Sequence, residues 1–284
     1  MGCRISDGVL IAKKLSAIKR FRHLTSDIRH LKSEIKMGSL KNKVAIVTGG
    51  AGGIGSAICK KLADEGASVV ITYNSNADKA NALLAQLPVN NHAVFHAPVN
   101  DSNALKNLAV FINDKYGRLD ILVNNAGITT PVAHDNLDNL TDEWIDKIFI
   151  TNVRGSFAMI RACKELLKKS EDGLVVNISS VAGVTGIGSN VAYCASKAAI
   201  DSMTRSLARA LAPAIRVVSV SPGWVMGEYA KTVDPSFLQI QLDATPLNRF
   251  ATAEDVANAV YAVASALTFT TGCIIPVDGG RPLK

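Results

Sequence analysis

Two side chains that could transfer a proton lie four residues apart in the stretch AYCASKAA, residues 192–199. Tyr193 carries a phenol and Lys197 an ammonium group, and positions i and i+4 of a helix lie on one face. A free tyrosine has a pKa of about 10, too high for proton exchange at neutral pH. Because a neighbouring ammonium stabilises the phenolate, the pair could form a tuned general acid and base.

The spacing of the pair alone does not show whether the two side chains are catalytic. The chain has five tyrosines, and at ordinary composition roughly one such chain in four places a lysine four residues after one of them. A catalytic role must therefore be assessed from the elements that would position the two side chains.

A glycine-rich segment, VAIVTGGAGGIGSAI, lies at the first junction between a predicted strand and a predicted helix, at residues 44–58. Glycines such as Gly49, Gly53 and Gly55 permit positive φ and let phosphate groups approach the backbone closely. The free N–H groups at the start of the helix attract anions. The segment could be only a tight turn, but its place after the first strand favours a nucleotide-binding loop.

From this loop onward, apolar runs alternate with longer helical stretches. Strands that are apolar throughout are typical of a parallel sheet covered on both faces. The alternation predicts a doubly wound α/β Rossmann fold with a parallel sheet of about seven strands and helices on both faces. The predicted helices include Leu105–Lys115, Trp144–Lys169 and one running from the capping box Thr252-x-x-Asp255 toward Leu267. The predicted strands are Val44–Thr48, Val69–Thr72, Ala93–Ala97, Ile121–Val123, Leu174–Ile178, Val217–Val220 and Cys273–Val277.

The composition is that of a globular chain, since 48% of the 284 residues are hydrophobic and 19% are charged. The five cysteines are scattered without metal-ligand spacing, which predicts reduced thiols, a cytoplasmic location and no metal site. The net charge of +7 is concentrated in residues 1–36, which hold nine basic and three acidic residues, whereas the remainder holds 22 and 21. The predicted catalytic domain, residues 37–284, therefore gives no case for nucleic-acid binding.

Residues 1–36 are predicted to be a non-catalytic extension, in which apolar residues recur as in a basic amphipathic helix. It could pack on the domain or a partner, or it could be a transit peptide, which would make the location mitochondrial. It could also contact a membrane surface, since Gly2 and Ser6 fit a myristoylation pattern and Cys3 a second acylation site. Finally, Met37 could be the true start.

Five ordered motifs between about Leu40 and Gly280 resemble the classical short-chain dehydrogenase/reductase family, with a layout similar to 3-oxoacyl-acyl-carrier-protein reductases. The resemblance implies an NAD(P)-dependent oxidoreductase that reduces a ketone, 3-oxoacyl-type or another small carbonyl, to a secondary alcohol, or the reverse. A catalytically silent nucleotide-binding protein on the same fold is the alternative. The motifs are TGxxxGxG from Thr48, NNAG at residues 124–127, Asn152 in ITNVRGSF, Ser180 thirteen residues before Tyr193-x-x-x-Lys197, and SPGW at residues 221–224.

The resemblance also implies roles for four catalytic residues. Tyr193 would be the general acid and base, Lys197 would also bind the nicotinamide ribose, Ser180 would hold the substrate oxygen, and Asn152 would hold a water of the proton relay. Local sequence alone leaves Ser179 as an alternative to Ser180 and a structural role for Asn152. The residues expected to bind the cofactor are Thr48, Gly49, Gly53, Ile54, Gly55, Tyr73, Asn74, Ser75, Val99, Asn125, Ala126, Gly127, Tyr193, Lys197, Pro222, Gly223 and Val225.

The end of the second predicted strand favours NADP(H) over NAD(H). An acidic residue there would bond the ribose 2′-hydroxyl and repel a 2′-phosphate, but Tyr73 stands at that position. Asn74 and Ser75 could bond phosphate oxygens, although the arginine usual in the family is missing. Pro98 and Gly227 replace two further cofactor contacts of the family.

The substrate is expected to be a small carbonyl compound or alcohol, covered by residues 226–247. Glu171 and the Pro213–Ala214 turn stand where carrier-protein reductases have arginines that dock the acidic carrier, which weakens that assignment. The resemblance further implies a homotetramer or dimer built through the long helices around Trp144–Lys169 and Tyr193–Leu211.

Overall fold

The computed structural model describes residues 40–227 and 234–283. The predicted extension, residues 1–36, lies outside the described residues, as do residues 228–233 of the predicted substrate cover. The chain from Leu40 onward groups as one unit. Within the described part, no helix is long and apolar enough to cross a membrane, and no three metal-ligating side chains cluster.

Seven parallel strands form one sheet in the order β3-β2-β1-β4-β5-β6-β7. The chain order reverses between β1 and β4, which is the switch point of a doubly wound sheet, so the predicted fold class is confirmed. The edge strands β3 and β7 differ most from the expectation of full burial, because each has one neighbouring strand. The strands are β1 (Val44–Val47), β2 (Ser68–Tyr73), β3 (Ala93–His96), β4 (Ile121–Asn124), β5 (Gly173–Ile178), β6 (Ile215–Pro222) and β7 (Ile274–Val277).

Helices cover both faces of the sheet, and the longer ones bury an apolar stripe. Leu105, Leu108 and Ile112 recur at helical spacing and are fully buried, so one face of their helix packs on the sheet. The helices are α1 (Gly53–Asp64), α2 (Ala77–Leu84), α3 (Ser102–Tyr116), α4 (Asp142–Ile148), α5 (Ser156–Leu167), α6 (Ala182–Thr185), α7 (Val191–Leu211), α8 (Pro235–Asp243) and α9 (Ala253–Ser265). One core cluster joins α1, α2 and α9 to the sheet, and a second joins α3, α5 and α7.

The prediction of one continuous helix over Trp144–Lys169 is wrong in its middle. A π-helical segment, Phe149–Gly155, separates α4 from α5, and α5 ends at Leu167. Wider turns of this kind often occur at functional positions, and this one carries Asn152. The predicted capping box is confirmed, because the Thr252 hydroxyl accepts from the Asp255 amide and the Asp255 carboxylate accepts from the Thr252 amide.

Candidate active site

A cavity of about 820 Å³ opens at the carboxyl ends of β4, β5 and β6. Ligands of doubly wound sheets bind at this edge. Three of the four predicted catalytic residues, Ser180, Tyr193 and Lys197, line it. Six residues predicted to bind a cofactor line it as well: Ile54, Asn125, Gly127, Pro222, Gly223 and Val225.

The two serines that follow β5 differ in what their hydroxyls contact. Ser179 is buried, and its hydroxyl donates to the Lys197 carbonyl at 3.3 Å. The Ser180 hydroxyl accepts from the Ala182 amide at 3.2 Å and also interacts with the Tyr193 hydroxyl. Between these two candidates, the geometry therefore places Ser180 beside the phenol.

Helix α7 carries both Tyr193 and Lys197 and begins just before them. The Asn190 side chain caps the helix, accepting from the Tyr193 amide at 2.7 Å. The Lys197 Nζ atom lies 5.6 Å from the centre of the Tyr193 ring and donates to the Ile178 carbonyl at 2.8 Å. The end of β5 thus anchors the ammonium group beside the phenol.

Burial opposes the pKa shift of Tyr193 that the neighbouring Lys197 is expected to cause. Burial raises the pKa of Tyr193, and hydrogen bonding with Ser180 acts against the rise. Burial lowers the pKa of Lys197 to about 8, although the charge of Asp201 opposes this. The net shift of the Tyr193 pKa is therefore opposite to the expected direction, because the cost of burying the phenolate dominates.

Asn152 lies behind the cavity wall rather than in it. Its amide oxygen accepts from the Ile128 amide at 2.8 Å, and its nitrogen donates to the Ile128 carbonyl at 3.1 Å and the Ser196 hydroxyl at 3.1 Å. A Cβ atom on Gly127 would lie 3.3 Å from Asn152 Oδ1 and 3.8 Å from Lys197 Nζ, so the two side chains meet at this glycine. The role of Asn152 in a proton relay stays a prediction.

The glycine loop combines a close backbone approach with open space at the start of α1. A Cβ atom on Gly55 would lie 2.5 Å from the Gly49 carbonyl, so the loop closes tightly there, whereas one on Gly53 would meet nothing within 4 Å. No side chain caps the start of α1, which leaves the first N–H groups of the helix without a side-chain acceptor. The buried Thr48 hydroxyl accepts from the amides of Asn125 and Ala126, both at 2.9 Å, and ties the loop to the end of β4.

The residues at the end of β2 are polar, and none of them is an aspartate or glutamate. Asn74 and Ser75 are exposed, and the Tyr73 ring lies 5.2 Å from that of His96. This composition is compatible with a ribose that carries a phosphate. The predicted cofactor-binding residues that lie outside the cavity lining are Thr48, Gly49, Gly53, Gly55, Tyr73, Asn74, Ser75, Val99 and Ala126.

Sequence reasoning did not single out several polar side chains of the cavity wall, among them His134, Gln241 and Arg281. His134 bonds the Gly188 carbonyl at 3.0 Å. Arg281 directly follows a double glycine near the end of the chain, and this is the one local signal that could have drawn attention to it.

Comparisons with known proteins agree with this arrangement. The family described as enoyl-(acyl carrier protein) reductase matches residues 49–281. A 3-oxoacyl-[acyl-carrier-protein] reductase of Staphylococcus aureus is 35% identical over 245 residues, covering 84% of this chain and 97% of its own. The chain belongs to the short-chain dehydrogenase/reductase family.

Two further relatives show how widely this family layout is used. A 3alpha-hydroxysteroid dehydrogenase of Mediterraneibacter gnavus is 34% identical, covering 84% of this chain and 97% of its own. The crystal structure of a short-chain dehydrogenase/reductase described as glucose/ribitol dehydrogenase, from Brucella melitensis, superposes with a TM-score of 0.80 at 28% identity, covering 86% of this chain and 98% of its own. As a short-chain dehydrogenase/reductase, the chain is an oxidoreductase of the alcohol–carbonyl type that uses a nicotinamide cofactor.

Proposed function

We propose that the chain reduces a ketone to a secondary alcohol with NADPH, or catalyses the reverse reaction, with Tyr193 as general acid and base. The observation that carries this proposal is that Ser180, Tyr193 and Lys197 line one cavity, with Ser180 close enough to Tyr193 to act on the pKa of its phenol. A silent nucleotide-binding protein needs no such proton donor. The bound nicotinamide supplies or accepts the hydride.

The three side chains divide the proton chemistry among them. In reduction, Ser180 donates a hydrogen bond to the carbonyl oxygen, and Tyr193 delivers its hydroxyl proton to the same oxygen as the carbon receives hydride. The raised pKa of Tyr193 keeps the phenol protonated at neutral pH, which suits an acid. The Lys197 ammonium stabilises the phenolate that remains until solvent returns a proton.

Substitution of the proton donor tests the proposed chemistry directly. Tyr193→Phe is expected to lower NADPH-dependent ketone reduction at least about 10³-fold, because the acid is lost, with NADPH affinity retained. Lys197→Ala is expected to weaken both turnover and NADPH binding. Absorbance at the NADPH band and a fluorescence titration measure the two quantities. Equal turnover by Tyr193→Phe and the unsubstituted chain would refute the proposal.

Preference for NADPH is supported by the absence of a carboxylate from Tyr73, the last residue of β2, to Ala77, the first residue of α2. The exposed Asn74 and Ser75 can bond a 2′-phosphate, and nothing there repels it. We expect a lower KM for NADPH than for NADH with any ketone that turns over. A clear preference for NADH would contradict this part of the proposal.

A homodimer or homotetramer is supported by apolar side chains exposed on the helices that the family uses for assembly. Ile150 and Phe157 lie at 38% and 42% exposure in the π-helical segment and α5, and Val191 lies at 45% at the start of α7. Large apolar groups at this exposure on neighbouring helices favour a covered surface.

A further inference from the structure

The catalytic cavity contains a cationic side chain that the proposed reaction does not use. Arg281 opens the 3₁₀ turn Arg281–Leu283 and lines the same cavity as Ser180 and Tyr193. Among the described residues that line the cavity, none is an aspartate or glutamate, and the other basic side chains are Lys197 and His134. The described wall therefore has a positive bias.

The chain after β7 is shaped to bring Arg281 to this wall. Gly279 and Gly280 have φ of +66° and +83°, which residues with side chains rarely adopt. A Cβ atom on Gly279 would lie 2.7 Å from Thr245 Cγ2. The Asp278 carboxylate accepts from the Gly280 amide at 2.9 Å and fixes the turn. Arg281 is thus placed by a specific turn rather than left at a free end.

The guanidinium of Arg281 is held by neutral groups only. Its Nη1 donates to the Gln241 carbonyl at 3.2 Å, and its Nη2 donates to the Gln241 side-chain oxygen. Gln241 belongs to α8 and is 7% exposed. No carboxylate of the described residues pairs with Arg281, although burial lowers its pKa. A half-buried guanidinium stays charged and gains from an anionic partner.

We propose that Arg281 is a specificity-determining residue that binds a carboxylate on the carbonyl substrate, so that the substrate is an oxo acid. The inference rests on the proposed function and deepens it. The planar guanidinium fork pairs with a carboxylate through two parallel hydrogen bonds. Apolar side chains line the wall as well, and they suit the carbon chain that joins the carbonyl to the acid: Ile128, Pro131, Val132, Ile187 and Trp224.

The position of Arg281 after β7 favours a substrate anion over a cofactor phosphate as its ligand. The start of α1 and the polar turn of Asn74 and Ser75 follow β1 and β2, on one side of the switch point. Arg281 follows β7, at the opposite edge of the sheet. The chain therefore has separate groups for the phosphates and for an anion on the substrate.

Matched pairs of substrates test the assignment. The panel consists of 3-oxobutanoate, 4-oxopentanoate and 5-oxohexanoate, each with its methyl ester, reduced with NADPH by the full chain. For the best acid, Arg281→Gln is expected to lower the ratio of kcat/KM for the acid to that for its ester about 10- to 100-fold, mainly through KM. Arg281→Lys should lie between, because a point charge replaces a fork.

A charge control and a binding measurement separate the possible outcomes. Arg249→Gln removes an exposed guanidinium that pairs with Asp255 outside the cavity lining, so it should leave the ratio unchanged. Calorimetry measures binding of each acid to the NADP⁺-loaded chain.

The carboxylate site would be overturned if Arg281→Gln leaves the acid-to-ester ratio unchanged, or if Arg281→Gln weakens NADPH binding instead of changing that ratio. Binding of acids that requires Arg281 without any turnover would support the site and overturn the proposed function. Neither turnover nor binding would overturn both.

Discussion

Two groups act on Lys197: the Ile178 carbonyl fixes its position, and the Asp201 carboxylate affects its charge. The Ile178 carbonyl accepts a hydrogen bond from its Nζ atom, and the charge of Asp201, one turn further along α7, raises its pKa against the effect of burial. Asp201 is itself buried, and its Oδ1 atom has no hydrogen-bond partner among the described residues. Hydrogen bonding with Ser179 and Ser219 favours the charged form of Asp201, and that charge acts on Lys197.

The pH dependence of ketone reduction should reveal this influence. Lys197 is charged below its pKa of about 8, so reduction should fall as pH rises through that value. Asp201→Asn removes the negative charge, lowers the pKa of Lys197 further and should move the fall to lower pH by about half to one unit. The control Glu165→Gln neutralises a carboxylate that is 66% exposed on α5. A fall that does not move, or that moves to higher pH, would contradict the prediction.

The first turn of α1 contains two glycines, Gly55 and Gly53, and each is a glycine for a different reason. The missing side chain of Gly55 is required by the chain itself, since the Gly49 carbonyl fills its place. The missing side chain of Gly53 leaves open space at the start of the helix. The first glycine serves the fold, and the second leaves room for a ligand.

Alanine substitution should separate these two roles. Gly53→Ala should leave the melting temperature unchanged and weaken NADPH binding at least about tenfold, because a methyl group occupies the space that a diphosphate needs. Gly55→Ala should lower the free energy of unfolding by about 1–3 kcal/mol, because its Cβ atom overlaps backbone. Thermal melts and NADPH titration measure both effects. Unchanged NADPH affinity in Gly53→Ala would argue against a phosphate site there.

Most of the elements could be predicted from the sequence because their signals are local. The apolar runs gave every strand to within a few residues, and the Thr252 capping box marked the start of α9. The π-helical segment was missed because its apolar spacing does not differ visibly from that of an α-helix. The contact of Gln241 with Arg281 joins positions 40 residues apart and depends on the turn after β7. The raised pKa of Tyr193 was missed because burial is a property of the folded chain.

At the scale of the whole molecule, all the groups in the proposed reaction come from one Rossmann unit. The described part of that unit starts at Leu40, and its strands, cavity and glycine loop are formed by residues after that point. Every residue that the proposed chemistry uses therefore lies outside residues 1–36.

Removal of residues 1–36 should leave catalysis intact. The chain that starts at Met37 is expected to keep kcat/KM for ketone reduction within about twofold, since every proposed catalytic side chain is retained. It should also elute as a dimer or tetramer, measured by light scattering, if assembly uses α5 and α7. Loss of turnover in truncated protein with an unchanged far-ultraviolet circular dichroism spectrum would show that the extension contributes to the site.

The switch point between β1 and β4 has a consequence for how this chain can diverge. The turns after β1 and β2 present the groups that would choose between cofactors, whereas Ser180 and the anchor of Lys197 lie at the end of β5. Arg281 follows β7 on the far edge. The residues for cofactor choice, proton delivery and substrate choice thus follow different strands. Substitutions that alter one of these properties can therefore arise while the residues for the other two are retained.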